Sequence, residues 1–166
     1  MANNTNSYLP HFFGPQADYY VRATEEIEEG KVQFNGAAFL AGILWMGYRK
    51  MYGQAFMTAA LIFGENMAEN LLFPAASKEN SSSFIVTLLI NALIGFISNQ
   101  LYINFAKRQV NRILAQRPGE PDAQVLDAIR QKGGVSWYGP FVVLLTIVVA
   151  VVLVLVVAES LGVKLE

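Results

Sequence analysis

Long uncharged apolar stretches alternate with short charged ones along this chain, and their lengths set the first expectations. No charged residue occurs from 80 to 106, and residues 84–105 form an apolar run long enough to cross a hydrocarbon core, which takes about 20 helical residues. A second run covers 138–158, through Phe141-Val142-Val143-Leu144-Leu145 and the valine-rich 148–157, bounded by Gly133-Gly134 and Glu159. Its β-branched content does not make it a strand. In lipid a lone strand leaves its backbone polar groups unpaired, whereas a helix pairs them internally.

The apolar region from 34 to 73 is cut by Arg49 and Lys50. Residues 51–73 reach across as a transmembrane helix if the helix runs on to Phe73, with Glu65 and Glu69 at or near the outer headgroups and Pro74 closing it. Residues 34–48 amount to roughly 22 Å of helix against a core of about 30 Å, so they are expected to re-enter or to lie in the interface. The pattern thus predicts an all-α integral membrane protein with three transmembrane helices (51–73, 84–105, 138–158), a short re-entrant or interfacial helix and amphipathic cytoplasmic helices.

Short cytoplasmic loops carry excess Lys and Arg. Lys107, Arg108, Arg112, Arg117, Arg130 and Lys132 fall in the connection 106–137, whereas residues 74–83 carry only Lys78, balanced by Glu79. The long connection is therefore expected in the cytoplasm and the C-terminus outside. If 34–48 re-enters, the N-terminus is cytoplasmic; if it spans, the N-terminus faces out. Residues 1–33 read as a soluble segment before a membrane domain, 34–166. Within the segment, 15–29 form a surface helix with Tyr20, Ala23 and Ile27 on one side and Gly30 as terminator. The connection reads as two amphipathic helices, one with Val110, Ile113 and Leu114, the next with Val125, Leu126 and Ile129, parted by Pro118-Gly119-Glu120-Pro121. Lys107, Arg108 and Arg112 are expected to meet anionic lipid or a partner there.

Composition agrees: 54% hydrophobic and 15% charged residues make the chain more apolar than soluble domains usually are. A net charge of -1 gives no reason to expect nucleic acid. The absence of cysteine excludes disulfides and thiolate chemistry. The start lacks the basic-then-apolar order of a cleaved signal peptide.

Candidate chemistry is sparse. Glu65, Asn66, Glu69 and Asn70 form a polar band, and ionisable groups at membrane depth are functional candidates. If helices 51–73 and 84–105 form a tight antiparallel pair, Glu65 lies at the depth of Asn91 and Glu69 at that of Thr87, a geometry suited to an ion site or to a structural hydrogen bond. The competing reading has the carboxylates meeting water. Asn91, Gly95, Ser98 and Tyr102 share one helical face, where small and polar residues favour close packing over a pore lining. His11 is the single histidine, so neither a protein-only metal site nor a cofactor is expected, and an axial role toward haem or pigment is the minor alternative. Its setting, Leu9-Pro10-His11-Phe12-Phe13-Gly14-Pro15, reads first as an interfacial anchor or a contact with a partner. No nucleophile elbow, phosphate loop or metalloprotease helix is present, so no enzyme is expected.

Phe34-Asn35-Gly36-Ala37-Ala38-Phe39, then Gly42, Trp45 and Tyr48-Arg49-Lys50-Met51-Tyr52, resemble an uncharacterised family of small bacterial inner-membrane proteins. The family pattern is Phe-Asn-Trp-Ala-Ala-Phe, Gly-Pro, Trp, and Tyr-Arg-Lys-Met-Tyr, and the likeness extends more loosely to Asn99, Tyr102 and Gly133-Gly134. Gly36 stands where the pattern has Trp, and Ile43 where it has Pro. Without the proline, a sharp bend at mid-segment loses one of its causes. The resemblance implies a bacterial inner membrane and no assigned activity. Physically the motif reads as interface anchors: Trp45, Tyr48 and Tyr52 at the headgroups, with Arg49 and Lys50 binding phosphates or snorkelling. The expected function is a noncatalytic accessory subunit packing against other membrane subunits; the alternative is a small transporter or channel component using Glu65, Asn91 and Ser98.

Overall fold

The computed structural model describes residues 5–72 and 80–160; the side chains of 66–84 and of 158 lie outside the description, as do the connection 73–79 and the end 161–166. Eight α-helices follow in order: α1 (Thr5–Phe13), α2 (Ala17–Glu28), α3 (Gly36–Ala41), α4 (Ile43–Tyr48), α5 (Tyr52–Leu72), α6 (Asn80–Gln116), α7 (Asp122–Lys132) and α8 (Gly139–Ser160), with a single 3-10 turn between α1 and α2. Among the described residues there is no strand.

Helix α6 is the axis of the fold. It runs unbroken for 37 residues, about 55 Å, and so joins the expected span 84–105 to the first amphipathic helix of the connection. No glycine or proline interrupts 106–116, and the apolar face of that segment continues the buried face above it through Tyr102, Ile103, Ala106 and Val110. Helices α1, α2, α3 and α7 pack on this axis, while α5 and α8 pack on each other and on α4. The first 33 residues are therefore not a separate segment. Leu9, Phe12, Phe13, Tyr20 and Ala23 belong to the same buried core as Tyr102, Ile103, Val125 and Ile129.

Residues 34–48 form two short helices broken at Gly42, whose φ of 51° and ψ of -124° suit a residue without Cβ. The bend is thus present without the family's proline. Its geometry against α6 is that of a shallow hairpin. Asn35 enters beside Gly95 and Asn99, Gly42 reaches Asn91, and Trp45 and Arg49 return beside Tyr102. From Asn99 to Asn91 is about 12 Å along the helix, so both ends of the segment lie near one level of α6.

Glycines set the closest crossings. The α4–α8 contact is a backbone approach of Gly47 and Gly139, where a Cβ on Gly139 would run into the Gly47 carbonyl. The expected break at Gly133-Gly134 lies between α7 and α8. It passes directly under Phe12: Gly134 N donates to Phe12 O at 2.7 Å, and a Cβ on Gly133 would strike that carbonyl. Ser136 N then donates to Tyr48 O at 2.8 Å, which delivers the chain to the start of α8.

Two helical segments, Ile85–Gln116 and Gly139–Val157, are long and apolar enough to cross a membrane, and almost nothing of the second is buried. The third expected span, 51–73, is helical over Tyr52–Leu72 and is not one of the two found among the described residues, which on this helix carry side chains as far as Glu65. Gly139→Ala is expected to lower stability by about 1–3 kcal/mol, since the obstacle is backbone that cannot swing away. Gly53→Ala, on α5 with nothing within 4 Å of the added Cβ, is expected to raise it by about 0.5–1 kcal/mol. Thermal unfolding of the two variants in one detergent checks the opposite signs.

Candidate functional site

The residue that departs furthest from its expected place is Arg49. Instead of reaching headgroups, its side chain is 1% exposed. Met46 and Met51 on either side of it are buried, so the end of α4 is drawn inward and takes the arginine with it. The guanidinium carbon lies 4.6 Å from the ring centroid of Tyr20, 5.1 Å from that of Tyr102 and 5.6 Å from that of Tyr48. One terminal nitrogen donates to the Gln16 side-chain oxygen. Aromatic faces carry negative charge density that offsets a desolvated cation, by up to about 2 kcal/mol per favourable ring.

The rings are themselves held by other rings. Phe13 lies 5.6 Å from Tyr102 and 5.3 Å from Tyr20, and Trp45 lies edge-on to Tyr102 at 6.1 Å. Trp45 is only 5% exposed, so it supports the cage instead of anchoring an interface. Burial pushes the Tyr20 hydroxyl above its ordinary pKa, while the Arg49 charge pulls it the other way. The phenol stays neutral and presents its ring.

Lys50, the next residue, has another fate. It holds a positive φ of 58° and turns its ammonium to the end of α7, donating to Gly133 O at 2.6 Å and Gln131 O at 3.1 Å. A cation at a helix C-terminus satisfies carbonyls that lack intrahelical partners. Partial burial, and then the charge of Lys132, hold its pKa below the ordinary lysine value. Tyr48 and Tyr52 are half-buried, whereas Trp137 and Tyr138 face outward at 75% and 80% exposure.

A second buried polar group is the side chain of Asn35. Asn35 caps α3, its side-chain oxygen accepting from Ala38 N at 2.9 Å. Its amide nitrogen donates to the Asn99 oxygen at 2.8 Å, and the Asn99 nitrogen donates to the Tyr19 hydroxyl at 2.8 Å. The chain of bonds ties α2, α3 and α6 together. Gly95 leaves room for the Phe34 ring, which a Cβ there would overlap.

The remaining candidates scatter. Asn91 faces Gly42, while Ser98 is buried and bonds its own helix at Gly95 O. Glu65 is exposed on α5, which packs on α4 and α8 and forms no tight pair with α6 among the described residues. The structure therefore does not gather Glu65, Asn91 and Ser98, and the side chain of Glu69 lies outside the described residues. Lys107 pairs with Glu28 at 2.9 Å, and Arg108 and Arg112 are exposed one turn apart on α6. His11 is half-buried in the last turn of α1. Sequence reasoning had placed Tyr102 on a packing face and Tyr20 on the apolar side of a surface helix. It missed that the two share a cation, and missed Gln16 altogether; the density of aromatics on either side of Arg49 was the available signal.

The chain belongs to the family described as protein of unknown function (DUF2628), whose model matches residues 12–108. Gln16, Tyr20, Asn35, Tyr48, Arg49, Asn99 and Tyr102 all fall inside that stretch. No curated protein and no solved structure matches the chain at a significant level.

Asn35→Ala removes a helix cap worth about 1 kcal/mol and leaves the buried Asn99 oxygen without its donor, at about 1–3 kcal/mol more. A total loss of roughly 2–4 kcal/mol is expected in denaturant unfolding followed by tryptophan fluorescence. A loss under 1 kcal/mol would mean that the asparagine pair does not hold the hairpin.

Proposed function

We propose that this chain is a noncatalytic integral protein of the bacterial inner membrane, an accessory subunit that packs against other membrane subunits. The observation that carries the reading is the exposed apolar surface. Among the described residues of α8 only Gly139 and Val143 are buried, and Phe141, Leu144, Leu145, Leu153 and Leu155 face outward on all sides. Upper α6 adds Ile85, Leu88, Leu89, Leu93, Phe96 and Ile97. A soluble monomer rarely exposes contiguous apolar patches beyond a few hundred Å².

In this reading α5, α6 and α8 cross the bilayer and α3–α4 is a re-entrant hairpin. The lower half of α6, with α1, α2 and α7, stands on the cytoplasmic side, where Arg108 and Arg112 meet anionic headgroups. Trp137 and Tyr138 sit at the same interface, at the foot of α8. Among the described residues α6 packs against neither α5 nor α8. A transporter path through Glu65, Asn91 and Ser98 draws no support from this packing.

Topology provides a direct test, because the chain has no cysteine of its own. An N-terminal tag and Pro118→Cys are both expected to stay inaccessible in intact spheroplasts and to react once the inner membrane is opened. A tag reached from outside would mean that 34–48 crosses. Gentle detergent extraction of the native protein is expected to bring stoichiometric membrane partners with it. A clean monomer, or release of the chain by alkaline carbonate alone, would end the subunit reading.

A further inference from the structure

We propose that the groove between the end of α2 and the middle of α6 binds a phospholipid whose headgroup is a zwitterion with a primary ammonium, the phosphoethanolamine class. The inference rests on the membrane assignment above and names one lipid for one place in it. The groove has a volume of about 530 Å³, within the range of small-molecule sites, and its lining includes Ile27, Lys31, Phe96, Ile97, Gln100 and Asn104. Gly30, at a φ of 80°, ends the turn after α2, and the backbone is next bonded to α6 at Asn35, whose N–H donates to Gly95 O at 2.8 Å. The groove is the gap left between these two points.

Polarity changes along it. On the outward face of α6, Leu89, Leu93, Phe96 and Ile97 are exposed and apolar, whereas Gln100, Asn104 and Arg108, which continue that face, are exposed and polar. The switch takes less than one turn, and it falls between the hairpin assigned to the membrane and α2 assigned to the cytoplasmic side. An amphipathic occupant fits it, with acyl chains along Phe96 and Ile97 and a headgroup beside Lys31 and Asn104. Gln100 donates to the Asn104 side-chain oxygen at 3.1 Å, which leaves the amide hydrogens of Asn104 to meet a phosphate.

Charge selects the headgroup. Residues 25–31 carry four glutamates and one lysine, and Lys107 is engaged with Glu28 at 2.9 Å, so the rim is acidic on balance and repels an anionic lipid. Lys31 and Glu29, 2.6 Å apart and both largely exposed, offer one positive and one negative pole. An exposed pair of this kind is weakly held, and it opens readily to a zwitterion that gives its phosphate to the lysine and its ammonium to the carboxylate. A primary ammonium donates hydrogen bonds to that carboxylate, which a choline cannot do.

The test uses the full chain, stripped of lipid in a nonionic detergent and titrated with phospholipids of identical tails bearing ethanolamine, choline or glycerol headgroups. With ethanolamine the midpoint of thermal unfolding is expected to rise by roughly 3–5 °C for each tenfold increase in lipid above its dissociation constant. The choline and glycerol lipids are expected to need at least about threefold more for the same rise. Glu29→Gln erases the preference for ethanolamine over choline, and Lys31→Gln weakens all three lipids; both side chains are exposed, so neither change threatens the fold. Equal responses to the three headgroups overturn the proposal, as does a preference unchanged in Glu29→Gln. No response to any lipid overturns it too and leaves the groove to a protein segment. A chain that resists alkaline carbonate in native membranes yet shows no headgroup preference loses this site alone, whereas release by carbonate removes the membrane assignment beneath it.

Discussion

The buried guanidinium of Arg49 is the constraint on which the rest of the structure depends. It gathers Gln16 and Tyr20 from the start of the chain, its neighbour Tyr48 from α4 and Tyr102 from the middle of α6. A cation in this position has no cheap alternative conformation. Exposing it would require moving α2 away, and leaving it without the rings would strand a charge in a dry interior. The N-terminal helices are thereby made part of the central core.

Around that centre the backbone is brought close by small residues and held by buried amides. The Asn35–Asn99–Tyr19 bonds sit where the hairpin meets α6, and the Gly47–Gly139 and Phe12–Gly133 approaches sit where the chain comes back to start α8. Each works by shape or by hydrogen bonding, neither of which weakens in lipid as the hydrophobic effect does. The lower half of the molecule is tied in this way, whereas upper α6 and α8 are tied by little within the chain. Such a division suits a protein whose upper half is completed by lipid or by other helices. It also separates two kinds of chemistry, polar bonds below and apolar length above.

Arg49 and Lys50 show how differently two adjacent cations are used. Both were legible as a charged interruption between apolar runs. Their destinations were not. Arginine carries a flat, weakly hydrated charge that suits ring faces, and lysine carries a compact ammonium that suits carbonyls, so each choice is intelligible once the neighbours are known. The neighbours are 29 residues before and 53 after Arg49 in the case of Tyr20 and Tyr102, and 83 after Lys50 in the case of Gly133. Periodicity carries no information over such separations.

By itself, the sequence determined that this protein is helical, that two of its stretches are long and apolar enough to cross a membrane, and that the chain breaks at Gly133-Gly134. Those properties follow from local composition, helical period and glycine's backbone freedom. Tertiary structure alone decided that α6 runs on past residue 105, that the buried face of α2 covers Arg49, that Gly42 breaks the 34–48 segment, and that among the described residues Glu65 and Asn91 stand on elements that do not pair. Which face of a helix is covered depends on what the rest of the chain brings to it, and that is a property of packing in three dimensions.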